Sequence, residues 1–325
     1  MVVDVAIPVT AQGHLRRLDM RRDLAKVADL VELCFYDTLD PEGKQYLKEM
    51  RRAAQNASFL GWASSMIDEA AMPPSGYVWE EDGRLVGNLS LIPNNFQGRR
   101  GYMIANVATH PEYRGRGIAR ALTITALDYA REHNSASAWL QVRDDNPGAI
   151  HIYVTSGFQE RLRRTSWFSG PNQALPSSPA GIKVGKRRTE HWMLQRNWLR
   201  RLYPPELEWH IPLDWHLFRT DIWGKMYRFF NFEYPLHWIV EHNAELKGVL
   251  TWRHTGGFTD PLWLAIPEEM DEQAILALFS KARKHIQQTH PLSLNYPAGL
   301  AVDVLRQAGF YPHQTLIWME YKFSA

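Results

Sequence analysis

Two stretches decide how this chain folds: Val107–Leu122, VATHPEYRGRGIARAL, and Trp139–Phe158, WLQVRDDNPGAIHIYVTSGF. In the first, an apolar run from Gly101 to Thr109 stops at His110–Pro111. A helical pattern then starts near Gly117, with Ile118, Ala121, Leu122, Thr125 and Tyr129 on one face. The turn between them is Arg114–Gly115–Arg116–Gly117–Ile118–Ala119. A helix N-terminus presents unpaired N–H groups and the positive end of its dipole. Glycines let a ligand approach that backbone closely. The turn is therefore a candidate diphosphate cradle, with charge added by Arg114 and Arg116. The plainer alternative is a tight turn carrying two solvated arginines. It is not a Walker P-loop, which needs Gly-Lys-Ser/Thr, nor a dinucleotide fingerprint, because Arg120 replaces the third glycine.

In the second stretch, Asn146–Pro147 predicts a helix start and Gly157 its C-terminal cap. Ala149, Ile150, Tyr153 and Val154 share one face, so Tyr153 either packs in the core or points at a ligand; buried tyrosines more often pack. Ser137–Val142 reads as a buried strand. Upstream, Tyr77–Glu81 and Arg84–Ile92 flank Asp82–Gly83, a strong hairpin signal. Further back, Asp23 is a candidate cap for a helix with Leu24, Val27, Leu30, Val31 and Cys34 on one face, and a second helix covers Gln45–Gln55.

Length and composition bound the rest. At 325 residues, 45% hydrophobic and 22% charged, the chain is long enough for two globular domains. The single cysteine, Cys34, excludes a disulfide framework and a cysteine-rich zinc site, which leads us to expect a reducing, cytoplasmic setting. A net charge of +2 argues against a nucleic-acid coat. No apolar run is long enough to span a bilayer and Met1–Gln12 lacks the order of a secretion signal, so no membrane partner is expected. The thirteen histidines show no metal spacing; His237 and His242 come nearest and are discounted, so no metal is expected. The Pro/Ser/Gly-rich run Ser169–Gly181 reads as a linker. Beyond it, Tyr77–Leu91 is weakly repeated at Trp238–Trp252, with matches at Glu80/Glu241, Leu85/Leu246, Gly87/Gly248 and Leu89/Leu250. Gly157–Phe158 recurs as Gly309–Phe310, which points to a duplicated domain.

In this order and about 30 residues apart, the two opening stretches resemble the acetyl-CoA site of the GNAT-superfamily N-acetyltransferases. They look most like the branch that acetylates amino termini and ribosomal proteins, and the likeness runs from about Leu15 to Phe168. The resemblance implies an α/β (α+β) protein of two tandem acyl-CoA N-acyltransferase-like domains, each with a mixed, mostly antiparallel central sheet flanked by helices. Residues 1–170 are expected to hold the acetyl-CoA site, 171–181 the linker and 182–325 a degenerate second copy. By that resemblance, the strand Val107, Ala108, Thr109 would pair with the pantetheine arm through its backbone. The amides of Arg114, Gly115, Arg116, Gly117, Ile118 and Ala119 would hold the pyrophosphate, and Asn146 would meet the pantetheine end. Tyr153, protonated at neutral pH, would donate to the departing thiolate. An amine would attack the thioester directly in a ternary complex, so Cys34 is expected to be a small packed residue and not a nucleophile.

One departure matters. The amino-terminal branch carries a glutamate as general base where this chain has Gln141, and an amide cannot take a proton from an ammonium. Glu80, Glu81, Asp68, Glu69, a water chain held by Asn106 and Gln141, or no base at all remain open. A peptide or ribosomal-protein acceptor is thereby put in doubt. In the second half, the turn before the long helix is Pro267–Glu268–Glu269–Met270–Asp271, with no glycine and three carboxylates that would repel a diphosphate. That half is expected not to bind acetyl-CoA. The segment Trp192–Trp238 holds six of the 13 tryptophans, and 13 of its 47 residues are aromatic, as in a domain interface or a ligand pocket. The basic clusters Arg161–Arg164 and Lys183–Arg188 read as solvated faces. The tandem plan also resembles mycothiol synthase, which implies a small polar amine as acceptor. A non-catalytic acyl-CoA sensor is the rival reading, and a homodimer is left open.

Overall fold

A computed structural model describes residues 13–39, 41–55, 75–96, 98–170, 181–207, 211, 213–286 and 290–323. Asp68, Glu69 and nearly all of the expected linker 171–181 lie outside these described residues. The chain divides into two compact units, Met1–Arg161 with Ile317–Ala325, and Leu162–Leu316.

Unit 1 contains β1 (His14–Arg17), α1 (Met20–Phe35), α2 (Pro41–Gln55), β2 (Ser75–Glu81), β3 (Arg84–Phe96), β4 (Arg99–Thr109), α3 (Ile118–Glu132), β5 (Ser137–Arg143) and α4 (Pro147–Thr155). The chain then enters β6 (Gln159–Ser169), most of which belongs to unit 2. Unit 2 continues with β7 (Lys183–Lys186), α5 (Trp192–Leu202), α6 (Trp215–Phe218), α7 (Ile222–Phe230), β8 (Leu236–His242), β9 (Glu245–Trp252), β10 (Asp260–Ala265), α8 (Glu272–His285), β11 (Leu292–Pro297) and α9 (Val302–Gln307). The last strand, β12 (Tyr311–Lys322), starts in unit 2 and ends in unit 1.

In unit 1 the strand order is β1-β2-β3-β4-β5-β12; β1 to β4 pair antiparallel and β4 pairs with β5 in parallel. In unit 2 it is β6-β11-β10-β9-β8-β7, with β10 and β11 parallel. The expected boundary at residue 170 thus differs from the division by contacts. β6 pairs with β11 from Arg164↔Pro297 to Ser169↔Leu292, while Ile317 and Met319 of β12 are buried in the core of unit 1. Each half of the sequence supplies a strand to the other unit.

Strand alternation builds two cores in unit 1. On β2, Tyr77 and Trp79 pack with Ile118, Leu122 and Ala126 of α3, while Val78 between them packs with Leu24, Val27 and Val31 of α1. The sheet is therefore covered on both faces. At Gly87 a Cβ would lie 2.7 Å from Ile118 Cγ2 and 2.9 Å from Trp79 Cβ, so glycine lets the start of α3 sit directly on β3. Asp82 (φ 51°) and Gly83 (φ 74°) make the tight hairpin turn their sequence predicts. No helix among the described residues is long and apolar enough to cross a membrane.

Asp23 does not cap α1. Asp19 does, accepting the amides of Arg21 and Arg22, and the helix begins one turn earlier than its apolar pattern. Asp23 is fully buried and receives Arg16 through two bonds of 2.6 and 2.8 Å; Arg16 Nε also donates to Glu80 Oε2 at 2.8 Å. Burial pushes the Asp23 carboxyl up, but Arg16 and the Asp19 amide outweigh it and hold it below its usual range. Hydrogen bonding from Arg16 likewise lowers Glu80. Both groups have folded pKa values below their unfolded ones. Their contribution to stability is present above about pH 4 and is lost as pH falls through the folded values. Asp23→Ala leaves a partly buried arginine short of a partner and is expected to cost about 3 kcal/mol. Urea unfolding at pH 7 checks this, and the cost should shrink as the pH is lowered toward 3.

Candidate active site

The helix α3 opens on Gly117, whose φ of 79° is left-handed and which provides no side-chain cap. The amides of Ile118, Ala119 and Arg120, the first of the helix, have no partner within it. Gly115 has a φ of 77°, and at both glycines a Cβ would meet nothing within 4 Å. The corner therefore has exposed backbone donors and open space beside them.

Its two arginines are anchored as well as exposed. Arg114 Nε donates to the Thr109 carbonyl at 3.3 Å. Arg116 donates to Glu81 Oε1 at 3.1 Å and lies 4.7 Å from the centre of the Tyr113 ring. Each holds the corner against the end of β4 or β2.

Next to the corner, β4 changes register. Gly87↔Thr109 and Asn88↔Ala108 pair on one side, and Ser90↔Ala105 on the other, so Asn106 and Val107 together oppose Leu89. Asn106 sits at φ 52°, the region asparagine tolerates best among residues with a side chain. Asn88 Nδ2 donates to the Asn106 carbonyl at 2.9 Å, and Asn106 Nδ2 donates to Ser90 Oγ at 3.4 Å and to Tyr46 Oη at 3.5 Å. The parallel ladder to β5 runs from Gly101↔Ser137 to Ile104↔Leu140 and ends there, just before the bulge. Past it, His110 N bonds Val86 O at 2.8 Å toward β3, so alternation turns the backbone groups of Val107 and Thr109 toward the unpaired side. Ala108 faces the α1–α2 core instead. The Thr109 carbonyl already accepts Cys34 Sγ at 3.3 Å as well as Arg114.

Among the expected site residues, Asn146 caps α4 by accepting the Ala149 amide at 3.1 Å. Tyr153 is buried with Leu140, Val142 and Phe158, its ring 5.9 Å from that of Phe158, edge to face. Burial pushes its phenol well above the usual value. Gln141, one residue past the end of the ladder, has a buried Nε2 without a hydrogen-bond partner among the described residues. Glu80 is held by Arg16 and Arg22, and Glu81 by Arg116, so neither is a free carboxylate. Cys34 is half-buried, and burial pushes its thiol up, which keeps it protonated. The histidine pair discounted as a metal site is engaged separately, His237 with Thr251 Oγ1 at 2.9 Å and His242 with Asp271 Oδ2 at 2.6 Å. The residues that sequence patterning missed are Tyr46, Asn88 and Ser90. Their signal is faint: an asparagine within each of two apolar strands.

Unit 2 repeats the plan with its donors closed off. Asp271 caps α8, accepting the Ala274 amide at 2.9 Å. β10 pairs with β9 from Leu262↔Trp252 to Ala265↔Val249 without a register shift.

Residues 26–158 match the family model described as "Acetyltransferase (GNAT) family". Residues 26–158 are thus a GNAT-family acetyltransferase domain. Two relatives match part of the chain. An N-alpha-acetyltransferase of Mycobacterium tuberculosis is 36% identical over 98 residues, 30% of this chain and 60% of that protein. A mycothiol acetyltransferase of Tsukamurella paurometabola is 34% identical over 135 residues, 35% of this chain and 46% of that protein. Both matches thus span less than two thirds of the relatives' own length. A GCN5-related N-acetyltransferase from Sphaerobacter thermophilus shares the fold across 95% of each chain, with a TM-score of 0.55 and 12% identity. The GNAT fold is thus present at the scale of both units.

The bulge of the GNAT domain depends on the left-handed conformation of residue 106. Asn106→Gly should keep the fold, whereas Asn106→Val should lose about 2 kcal/mol from left-handed strain and the missing hydrogen bonds. Urea unfolding of the two variants side by side is the measurement.

Proposed function

We propose that unit 1 binds acetyl-CoA at the Arg114–Ala119 corner and transfers its acetyl group to a primary amine. The observation that carries this reading is the uncapped start of α3, with glycines whose missing side chains leave the donors accessible. The residues present fit a diphosphate: backbone amides at a positive helix end and two anchored arginines. The edge of Val107 and Thr109, where among the described residues only the Thr109 carbonyl is already engaged, suits an extended arm added like a strand, with Asn146 near its far end. Unit 2, where Asp271 fills the same helix end, is assigned no acetyl-CoA.

The acetyl-CoA supplies an activated thioester, and the chain's residues place its partners. The acceptor nitrogen forms a bond to the carbonyl carbon and gives up one proton, the carbon–sulfur bond breaks, and the sulfur leaves as a thiolate that takes up one proton, so that the thiol and the amide are the balanced products. Tyr153 is assigned the hydrogen bond to that sulfur. A phenol raised by burial is protonated throughout the neutral range, so it is always ready to donate. On the acceptor side the groups are amides and hydroxyls: Gln141, Asn106, Ser90 and Tyr46. With Glu80 and Glu81 both bound to arginines, the amine is assigned to reach the site already neutral. This favours acceptors of modest basicity, such as an α-amine with pKa about 8, over a lysine-like alkylamine near 10.4.

A second reading, an acyl-CoA sensor without turnover, draws on Gln141 in the place of a base. Both readings predict calorimetric binding of acetyl-CoA, and thiol release with an amine panel separates them. Tyr153→Phe should lower kcat by about 100-fold while leaving the KM for acetyl-CoA within a few-fold. Binding without thiol release from any amine would favour the sensor, and absence of binding would end both. For the enzyme, kcat/KM should rise with pH along the acceptor's own amine titration. Acceptors of different pKa should therefore displace the ascending limb by matching amounts; a limb fixed near pH 4 to 6 would instead reveal a carboxylate base.

A further inference from the structure

Three residues of unit 2 meet away from every group discussed above. Asp260 opens β10 and is 1% exposed. Its Oδ1 accepts the Thr255 amide at 2.9 Å, and its Oδ2 lies 3.2 Å from Nδ1 of His254. Asp260 N bonds the Pro291 carbonyl at 2.9 Å, and the parallel pairing Asp260↔Leu292 brings His290 to the same spot. The rings of His254 and His290 are stacked, 5.6 Å apart and 24° from parallel. One ligand atom from each of the three residues falls within 4.8 Å of the others.

We propose that His254, Asp260 and His290 form a binding site for a divalent transition-metal ion, with zinc the best match. The donor set is two imidazole nitrogens and one carboxylate oxygen, the borderline ligands that suit this ion. Bonds of 2.0–2.1 Å in a tetrahedron place ligand atoms about 3.3 Å apart. The His254–Asp260 pair, at 3.2 Å, already has that spacing, and the wider separations within 4.8 Å close by small movements of the imidazoles. His254 lies in the connection between β9 and β10 and its side chain is 58% exposed, so it can move and the fourth position is open to water.

Charge favours a cation here. Asp260 is a buried carboxylate whose ion-pair partner among the described residues is His254 alone. A buried anion is costly unless compensated, and the divalent ion compensates it more fully than an imidazole does. The Thr255 amide fixes the carboxylate from behind, and Thr255 Oγ1 donates to the Thr259 carbonyl at 2.7 Å to close the loop. Bound metal would tie this connection to the entrance of β11. Sequence spacing hides the site, because His290 is distant in the chain and only the β10–β11 pairing unites the ligands.

The test uses untagged full-length protein, treated with chelator and then titrated with Zn²⁺ by calorimetry and with Co²⁺ by visible absorption. One equivalent should bind, with the d–d bands of a low-coordinate Co²⁺ site, and thermal stability should rise with metal concentration. His254→Ala removes an exposed side chain and so should leave the fold intact, as circular dichroism would verify. That variant, and His290→Ala, should weaken Zn²⁺ binding by more than about 100-fold, beyond what losing an outer partner costs. His285→Ala should leave it unchanged. Absence of binding at millimolar metal would overturn the proposal, as would a stoichiometric site that survives both His254→Ala and His290→Ala.

Discussion

The first amides of a helix must find acceptors, and how each unit meets that need determines what it can do. In unit 2 the chain supplies the acceptor itself: Asp271 takes the Ala274 amide and is fixed in turn by His242. In unit 1 nothing in the sequence plays that part. Gly117 occupies the cap position in a left-handed conformation and brings no oxygen, so the donors of α3 stay available to a ligand. At this helix end the two units thus differ by a carboxylate against a glycine. The same electrostatics that completes one helix leaves the other incomplete without an anion.

The proposed function also needs an edge along which the cofactor's arm can lie, and the bulge is the feature of β4 that would provide it. The extra residue at Asn106–Val107 comes just past the last rung between β4 and β5. It resets the alternation so that Val107 and Thr109 turn their backbone groups to the side β5 has left. Holding an asparagine at positive φ inside a strand requires compensation. It comes from Asn88, Ser90 and Tyr46, which bond its carbonyl and its amide. Unit 2 has an unbroken β9–β10 register at the corresponding place, so it lacks the bulge that resets the alternation in unit 1.

Much of this was legible in the sequence, and what was not has physical causes. Local signals serve well: Asp82–Gly83 turns the hairpin, Asn146–Pro147 starts α4, and the buried run from Ser137 is β5. Asp23 misled because two aspartates precede the same apolar stripe. Asp19 faces the free amides, and Asp23, one turn on, points inward to Arg16. The exchange of β6 and the end of β12 between units left no trace in local pattern. A strand's alternation tells which side of it is buried but not which sheet it joins. The bulge was invisible for the same kind of reason, since Asn106 reads only as a polar interruption in an apolar run.

Arg116 shows how the corner is tuned beyond its backbone. Its guanidinium already serves Glu81 and the Tyr113 ring, so in the free protein its charge is partly neutralised by a carboxylate at 3.1 Å. Under the proposed function a diphosphate would compete with Glu81 for this arginine, whereas the α3 amides have no partner within the helix to give up. On that reading the amides would contribute the larger differential, and the contact Arg116 makes in the free protein is the one that holds the corner against β2. Glu81 in turn has its second carboxylate oxygen buried without a hydrogen bond among the described residues. Loss of Arg116 would strand that carboxylate, so the arginine is needed for the shape of the site even where its charge adds little to binding.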